Sequence, residues 1–309
     1  MPEEDSHLSD QTRSQAHWGT FPTCQARWNR APLIVFAVLT SSALACVIPT
    51  PARGMEIIAH RGASHSAPEN TLSAVNLAWQ RGADAVEIDI WLTRDGRIVA
   101  LHDKTTERTA GKKWHVAERT LEELRSLDAG SWKNAAYAGE RIPTLEEILA
   151  TVPDGKRLFI EIKCKAEILP ELERVVAASG KRPEQTVFIS FDFDTIRAAK
   201  SRMPERPAYW IQGTSPSRNA KTGAVVAPPD ELIARCRAAG LDGLDLKFDS
   251  KLTPKIVDAM HRLGLGLYVW TVNEPADARR LVALGVDGIT TDRPGWLRDR
   301  LPAADRAGR

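Results

Sequence analysis

Cysteine is scarce in this chain. Four occur in 309 residues, and no pair has the spacing of a zinc site or a Cys-x-x-Cys redox motif. Only Cys164 and Cys236 fall in the stretch that reads as folded, and free buried thiols are expected there rather than a bridge. Charge of one sign is also lacking. The formal net charge is +2, with no polybasic run and no acidic tail, so nothing supplies the basic field that a nucleic-acid partner requires. Internal repeats and low-complexity segments are absent too, which excludes solenoids. Long apolar runs are missing. The longest, APLIVFAVLTSSALACVIP, is broken at Thr40, Ser41 and Ser42. Its apolar core of about nine residues is short for a membrane span and suits a signal-peptide core.

That run follows Arg27 and Arg30 and leads into Ala43-Leu44-Ala45, a small-x-small cleavage pattern. Residues 1–54 are therefore read as an export signal or membrane-anchor leader, and the mature protein as periplasmic or secreted. Two alternatives attach the protein to a membrane: an uncleaved leader, or lipidation of Cys46. A wrongly assigned start would account for the long polar lead. The sequence carries no information on oligomeric state.

From residue 55 onward, β-rich runs alternate with helical stretches. The runs are MEIIAH (55–60), AVEIDIWL (85–92), RLFIEIK (157–163), TVFISF (186–191), AYWIQ (208–212), LDGLDLKF (241–248), LGLYVWTV (265–272) and VDGITTD (286–292). Helices fit between most of them, with Asn70 as the cap of the first. Asp95-Gly96 leaves no room for a helical crossover, so RIVALHD (97–103) is expected to fold back as the return arm of a hairpin. Eight parallel strands plus one hairpin predict an α/β fold, a (β/α)8 barrel over residues 55–300. The runner-up, an open doubly wound sheet, needs a Gly-rich phosphate loop after its first strand, and none is present. Residues 104–143 are too long for an ordinary loop and predict a small inserted helical subdomain beside the hairpin. Residues 301–309 are a polar tail.

Chemistry concentrates at the ends of three strands. Strand alternation puts Glu87 and Asp89 on one face, and likewise Glu161 and Lys163. The first strand ends in His60 and Arg61. A two-residue Asp95-Gly96 turn would set Arg94 against Arg97 and bring His102 opposite Asp89. Three carboxylates converging at a barrel mouth suit a hard divalent cation, Mg²⁺ or Ca²⁺. Arg61 and Lys163 beside them suit a phosphate. His60 and His102 suit acid–base work near neutral pH.

These segments resemble the glycerophosphodiester phosphodiesterase family. HRG, PENT, ExD and HD occur in the family's order between residues 60 and 103. The likeness continues through LDAGSW, GERIPTLEE, FIEIK, VFISFD, VWTVN and GVDGITTDRP. It implies a barrel related to the phosphatidylinositol-specific phospholipases C, and hydrolysis of a small glycerophosphodiester to sn-glycerol 3-phosphate and an alcohol. It implies one divalent cation held by Glu87, Asp89 and Glu161, His60 and His102 as the acid–base pair, and Arg61 and Lys163 on the phosphate. It further implies that Glu69 orients the site. Trp270 lines a glycerol pocket or packs within the barrel, and Asn273 is read the same way. Two departures bear on substrate breadth: Lys133-Asn134 follow LDAGSW where some members carry an aromatic, and HDKTTERT lacks the leucine common after HD. Lysophospholipase D or envelope-polymer phosphodiesterase activity would use the same site, and a noncatalytic phosphate-binding protein is the rival from another class.

Overall fold

The computed structural model describes residues 54–213, 229–248 and 252–302. The leader read from residues 1–54, Gly54 apart, lies outside the described residues, as does the tail beyond Pro302. Nine strands form one sheet: β1 (Glu56–His60), β2 (Ala85–Leu92), β3 (Ile98–Ala100), β4 (Arg157–Ile162), β5 (Thr186–Ser190), β6 (Ala208–Gln212), β7 (Gly243–Lys247), β8 (Gly266–Trp270) and β9 (Gly288–Thr291). All but β3 run parallel, and β1 pairs with both β2 and β9, which closes the barrel. The crossovers include α1 (Leu72–Gln80), α4 (Leu145–Thr151), α5 (Leu169–Ala178), α6 (Phe193–Arg202), α7 (Pro229–Ala238), α8 (Pro254–Arg262), α9 (Pro275–Leu284) and, after β9, α10 (Pro294–Arg298). No helix among the described residues is long and apolar enough to cross a membrane. Cys164 and Cys236 are free thiols.

Period-two alternation decides which side chains enter the barrel. On β2, Val86, Ile88 and Ile90 join the outer core beneath the helices, while Glu87 and Asp89 turn inward. On β4, Leu158, Ile160 and Ile162 face out and Phe159 faces in. The interior layer comprises Ile58, Ala85, Phe159, Val187, Ile189, Tyr209, Ile211 and Tyr268. Below it Arg157 seals the floor. Its Nη1 donates to Glu56 Oε2 at 2.6 Å and to the Tyr268 hydroxyl at 2.8 Å.

The hairpin forms, but its register differs from the expected one. Ile90 pairs with Ala100 and Leu92 with Ile98, so Leu101, not His102, stands opposite Asp89, and its N–H donates to the Asp89 carbonyl at 3.0 Å. The cause is a three-residue turn. Thr93 and Arg97 close it through Thr93 N–H to Arg97 O, 2.8 Å, and Arg97 N–H to Thr93 Oγ1, 2.9 Å. Gly96 takes the left-handed position such a loop requires, at φ +72°. His102 therefore follows the strand and sits at the mouth.

Residues 104–143 carry α2 (Glu107–Ala110) and α3 (Leu121–Arg125) and their own apolar cluster, Val116, Leu124, Ala129 and Ile142, packed on Val99 and Leu101 of the hairpin. Asp128 ties this insert together. Its carboxylate accepts from the Gly130, Ser131 and Gly139 N–H groups at 2.8–2.9 Å and from Ser131 Oγ at 2.6 Å.

Candidate active site

The site is built from the upper ends of β1, β2, β4 and β9 and from the first turn of the insert. Glu87, Asp89 and Glu161 are 3%, 1% and 9% exposed, and each offers an oxygen within 4.8 Å of the others. Glu87 Oε1 and Asp89 Oδ1 are buried without a hydrogen-bond partner. Lys163 Nζ donates to Glu161 Oε1 at 2.7 Å and stands 3.3 Å from Asp89 Oδ1 as an ion pair. Burial, with the Asp89 and Glu161 charges behind it, holds Glu87 well above the ordinary carboxylate range. Burial and the Asp89 charge push Glu161 up to about 7. Burial opposes ionisation of Asp89 as well, but Lys163, Arg61 and His102 outweigh it and keep this carboxylate low. Three buried oxygen donors, two of them accepting no hydrogen bond, fit a hard divalent cation.

The connection from β1 to α1 wraps this cluster. Arg61 and Asn70 both adopt left-handed backbone, at φ +54° and +57°. Such a conformation costs about 1–2 kcal/mol in a non-glycine residue, with asparagine the more tolerant. Arg61 N–H donates to Glu87 Oε2 at 2.9 Å, and its guanidinium reaches Glu69 Oε1 at 2.9 Å and Asp89 Oδ2 at 3.2 Å. Asn70 is not the helix cap. Thr71 caps α1 by accepting from the Ala74 N–H. Asn70 instead grips Asp89 twice: its Nδ2 donates to Oδ2 at 2.9 Å, and its Oδ1 accepts the Asp89 N–H at 3.1 Å. Gly62, at φ +81°, lets this connection lie on α1, where a Cβ would meet the Ala74 carbonyl carbon at 2.5 Å.

Each histidine is held by an aspartate. His60 Nδ1 bonds Asp292 Oδ1 at 2.7 Å, and His102 Nδ1 bonds Asp103 Oδ1 at 2.7 Å. Burial disfavours the Asp292 anion, but His60, Asn273 and Ser64 outweigh it and hold it at about 2. Asn273 Nδ2 donates to Asp292 Oδ2 at 2.7 Å, so Asn273 fixes the carboxylate behind His60. Burial lowers His102, with the Asp89 charge opposing. Arg108, at the start of the insert, spans two of these groups. It donates to both oxygens of Glu69 at 2.7 and 2.8 Å and to Asp103 Oδ2 at 2.6 Å. Trp270 sits half-buried at the mouth, edge-on to Phe191 with ring centres 5.5 Å apart.

The structure thus links Arg61, Glu69, Glu87, Asp89, His102, Glu161 and Lys163 in one network, with His60 in register beside Glu87 and Trp270 at the rim. Asn70, Asp103, Arg108, Asn273 and Asp292 were not assigned these contacts from sequence. For Asp292 a signal existed, since an acid closing the last barrel strand belongs to the mouth. For Arg108 none existed, because the insert has no periodicity that places it.

Comparison with known proteins places this network in a lineage. The model of the glycerophosphoryl diester phosphodiesterase family matches residues 60–296. A glycerophosphodiester phosphodiesterase of Caldanaerobacter subterraneus subsp. tengcongensis is 35% identical over 245 residues, 78% of this chain and 95% of that protein. One from Bacillus subtilis (strain 168) is 30% identical, covering 77% and 83%. Among solved structures, an Oleispira antarctica phosphodiesterase in complex with the product sn-glycerol-3-phosphate superposes with a TM-score of 0.69 at 29% identity, over 80% of this chain and 96% of that one. With three quarters of its length matched by one family model and by full-length relatives, the chain belongs to the glycerophosphoryl diester phosphodiesterase family.

Proposed function

We propose that this chain hydrolyses glycerophosphodiesters to sn-glycerol 3-phosphate and an alcohol, with Mg²⁺ or Ca²⁺ held by Glu87, Asp89 and Glu161. The observation that carries the reading is the buried carboxylate cluster with two oxygens that accept no hydrogen bond, flanked by Arg61 and Lys163 and by two aspartate-held histidines. When bound, the cation supplies positive charge to a nonbridging phosphate oxygen. Arg61 and Lys163 orient the phosphate and offset the charge that builds on its oxygens. An aspartate on Nδ1 of each histidine leaves Nε2 as the working nitrogen. One Nε2 takes the proton of the attacking hydroxyl, and the other gives a proton to the departing alkoxide oxygen. The attacker in this reading is the glycerol 2-hydroxyl, with water opening the resulting cyclic phosphate.

The test is glycerol 3-phosphate release from glycerophosphocholine with Mg²⁺, Ca²⁺ or EDTA. Release with a cation and none with EDTA is expected. His102→Ala should lose about 10²–10⁴-fold in turnover while still binding cation, and wild-type turnover in that variant would remove His102 from the chemistry. A lysophospholipase D, acting on a diester whose glycerol end carries an acyl chain, is the second reading, favoured by Phe191, which is 47% exposed beside Trp270. Lysophosphatidylcholine as the sole hydrolysed substrate would select it.

A further inference from the structure

β7 carries an acidic side chain that no step above uses. Leu244 and Leu246 join the outer core, so alternation turns Asp245 into the barrel. Its neighbours in register, Ile211 on β6 and Tyr268 on β8, both belong to the interior layer. Asp245 is 3% exposed, and no donor among the described residues reaches its Oδ1. The floor of the barrel offers a contrast, because there Arg157 pairs both Glu56 and Tyr268. A structural carboxyl would be expected to have a partner too, since leaving one unpaired in the interior is costly. Burial, reinforced by the Glu161 charge, holds this carboxyl well above the ordinary range. Alternation turns Asp245 into the same barrel interior that receives Glu161 from β4, two positions beyond inward Phe159. Trp270, one interior position nearer the mouth on β8, donates its indole N–H to the Asp245 carbonyl at 3.3 Å. The wall of β7 and β8 is therefore an acid at its foot with an indole above.

We propose that Asp245 is a specificity-determining residue: its carboxyl hydrogen-bonds the terminal hydroxyl of the substrate's glycerol end. This rests on the hydrolase reading. The phosphate is drawn to Arg61 and Lys163, and the 2-hydroxyl must stay within reach of a histidine. The terminal hydroxyl lies two carbons beyond the esterified one and is free to reach the wall formed by β7 and β8. A diester without that hydroxyl would leave the carboxyl buried and unpaired, which is how a polar site rejects a deoxy analogue.

The experiment compares kcat/KM of the full chain on glycerophosphocholine and on 2-hydroxypropyl phosphocholine, which keeps the secondary hydroxyl and lacks the terminal one. Wild type is expected to prefer glycerophosphocholine by about 10- to 100-fold. Asp245→Ala and the near-isosteric Asp245→Leu should cut that preference to about twofold or less. The Leu variant, which removes an unpaired buried carboxyl, should also unfold at a higher temperature than wild type, so it reports even if the Ala variant does not fold. An unchanged preference in the Leu variant, or equal losses on both substrates, overturns the assignment and leaves Asp245 structural. Wild type that turns over both diesters equally also overturns it, while the hydrolase reading stands. Wild type that hydrolyses neither sinks the hydrolase reading, and this inference with it.

Discussion

Arg108 holds Glu69 with two bonds and Asp103 with a third, so one guanidinium steadies both the carboxylate behind Arg61 and the carboxylate behind His102. Arg108→Ala is expected to lower kcat/KM about 10- to 100-fold, as loss of an orienting partner does at metal sites. Arg108→Lys should recover only part of it, because an ammonium cannot make the two-pronged contact. Steady-state kinetics beside a thermal melt would check this, and a drop in melting temperature without a kinetic loss would contradict it. The acids predict a pH dependence. Without cation, Glu161 is pushed up to about 7 from an ordinary 4.5. A raised acid favours the fold below its unfolded value, and that contribution is lost as pH climbs through about 7. A cation needs the same group ionised. The gain in melting temperature from Mg²⁺ or Ca²⁺ over EDTA should therefore be larger at about pH 8 than at about pH 5.5. Equal gains would count against a carboxylate-held cation.

At the scale of elements, strand positions were legible because short β-rich runs alternate with helical stretches along the chain. AVEIDIWL and AYWIQ coincide with β2 and β6 residue for residue. The hairpin register was not, because it depends on how Thr93 and Asp95 bond within the turn: Thr93 Oγ1 donates to Asp95 Oδ1 at 2.6 Å. Asp-Gly admits both loop lengths, and a one-residue change moves His102 off the ladder. Asn70 was misread for a similar reason. Asparagine caps helices and also tolerates left-handed backbone, and only the fold brings Asp89 within its reach. His60 and Asp292 are 232 residues apart in sequence, so their pairing had no local trace. The insert supplies a prediction of its own. Asp128→Ala removes four bonds that fold residues 128–139 back on themselves. Limited proteolysis should then cut within 104–143 several-fold faster, as expected where a local unit opens independently. Unchanged protection would mean the cluster around Leu124 and Ile142 suffices alone.

The whole molecule divides its labour along the barrel axis, with chemistry at the mouth and stability at the floor. Arg157 is almost wholly buried and forms an ion pair with Glu56, so removing it breaks a buried charge pair. Arg157→Met is expected to cost about 3–5 kcal/mol in denaturant unfolding. At temperatures where the variant stays folded, turnover should be near that of wild type, and a loss of turnover there would show that floor and mouth are coupled. The same plug has a bearing on traffic. With Arg157, Tyr209 and Tyr268 filling the lower end, the cylinder is a cul-de-sac. Among the described residues, the diester enters, and both fragments back out, at the end that carries Phe191 and Trp270. A fragment still there bars the next arrival, so glycerol 3-phosphate is bound to behave as a rival of fresh substrate rather than as a passenger leaving by another exit.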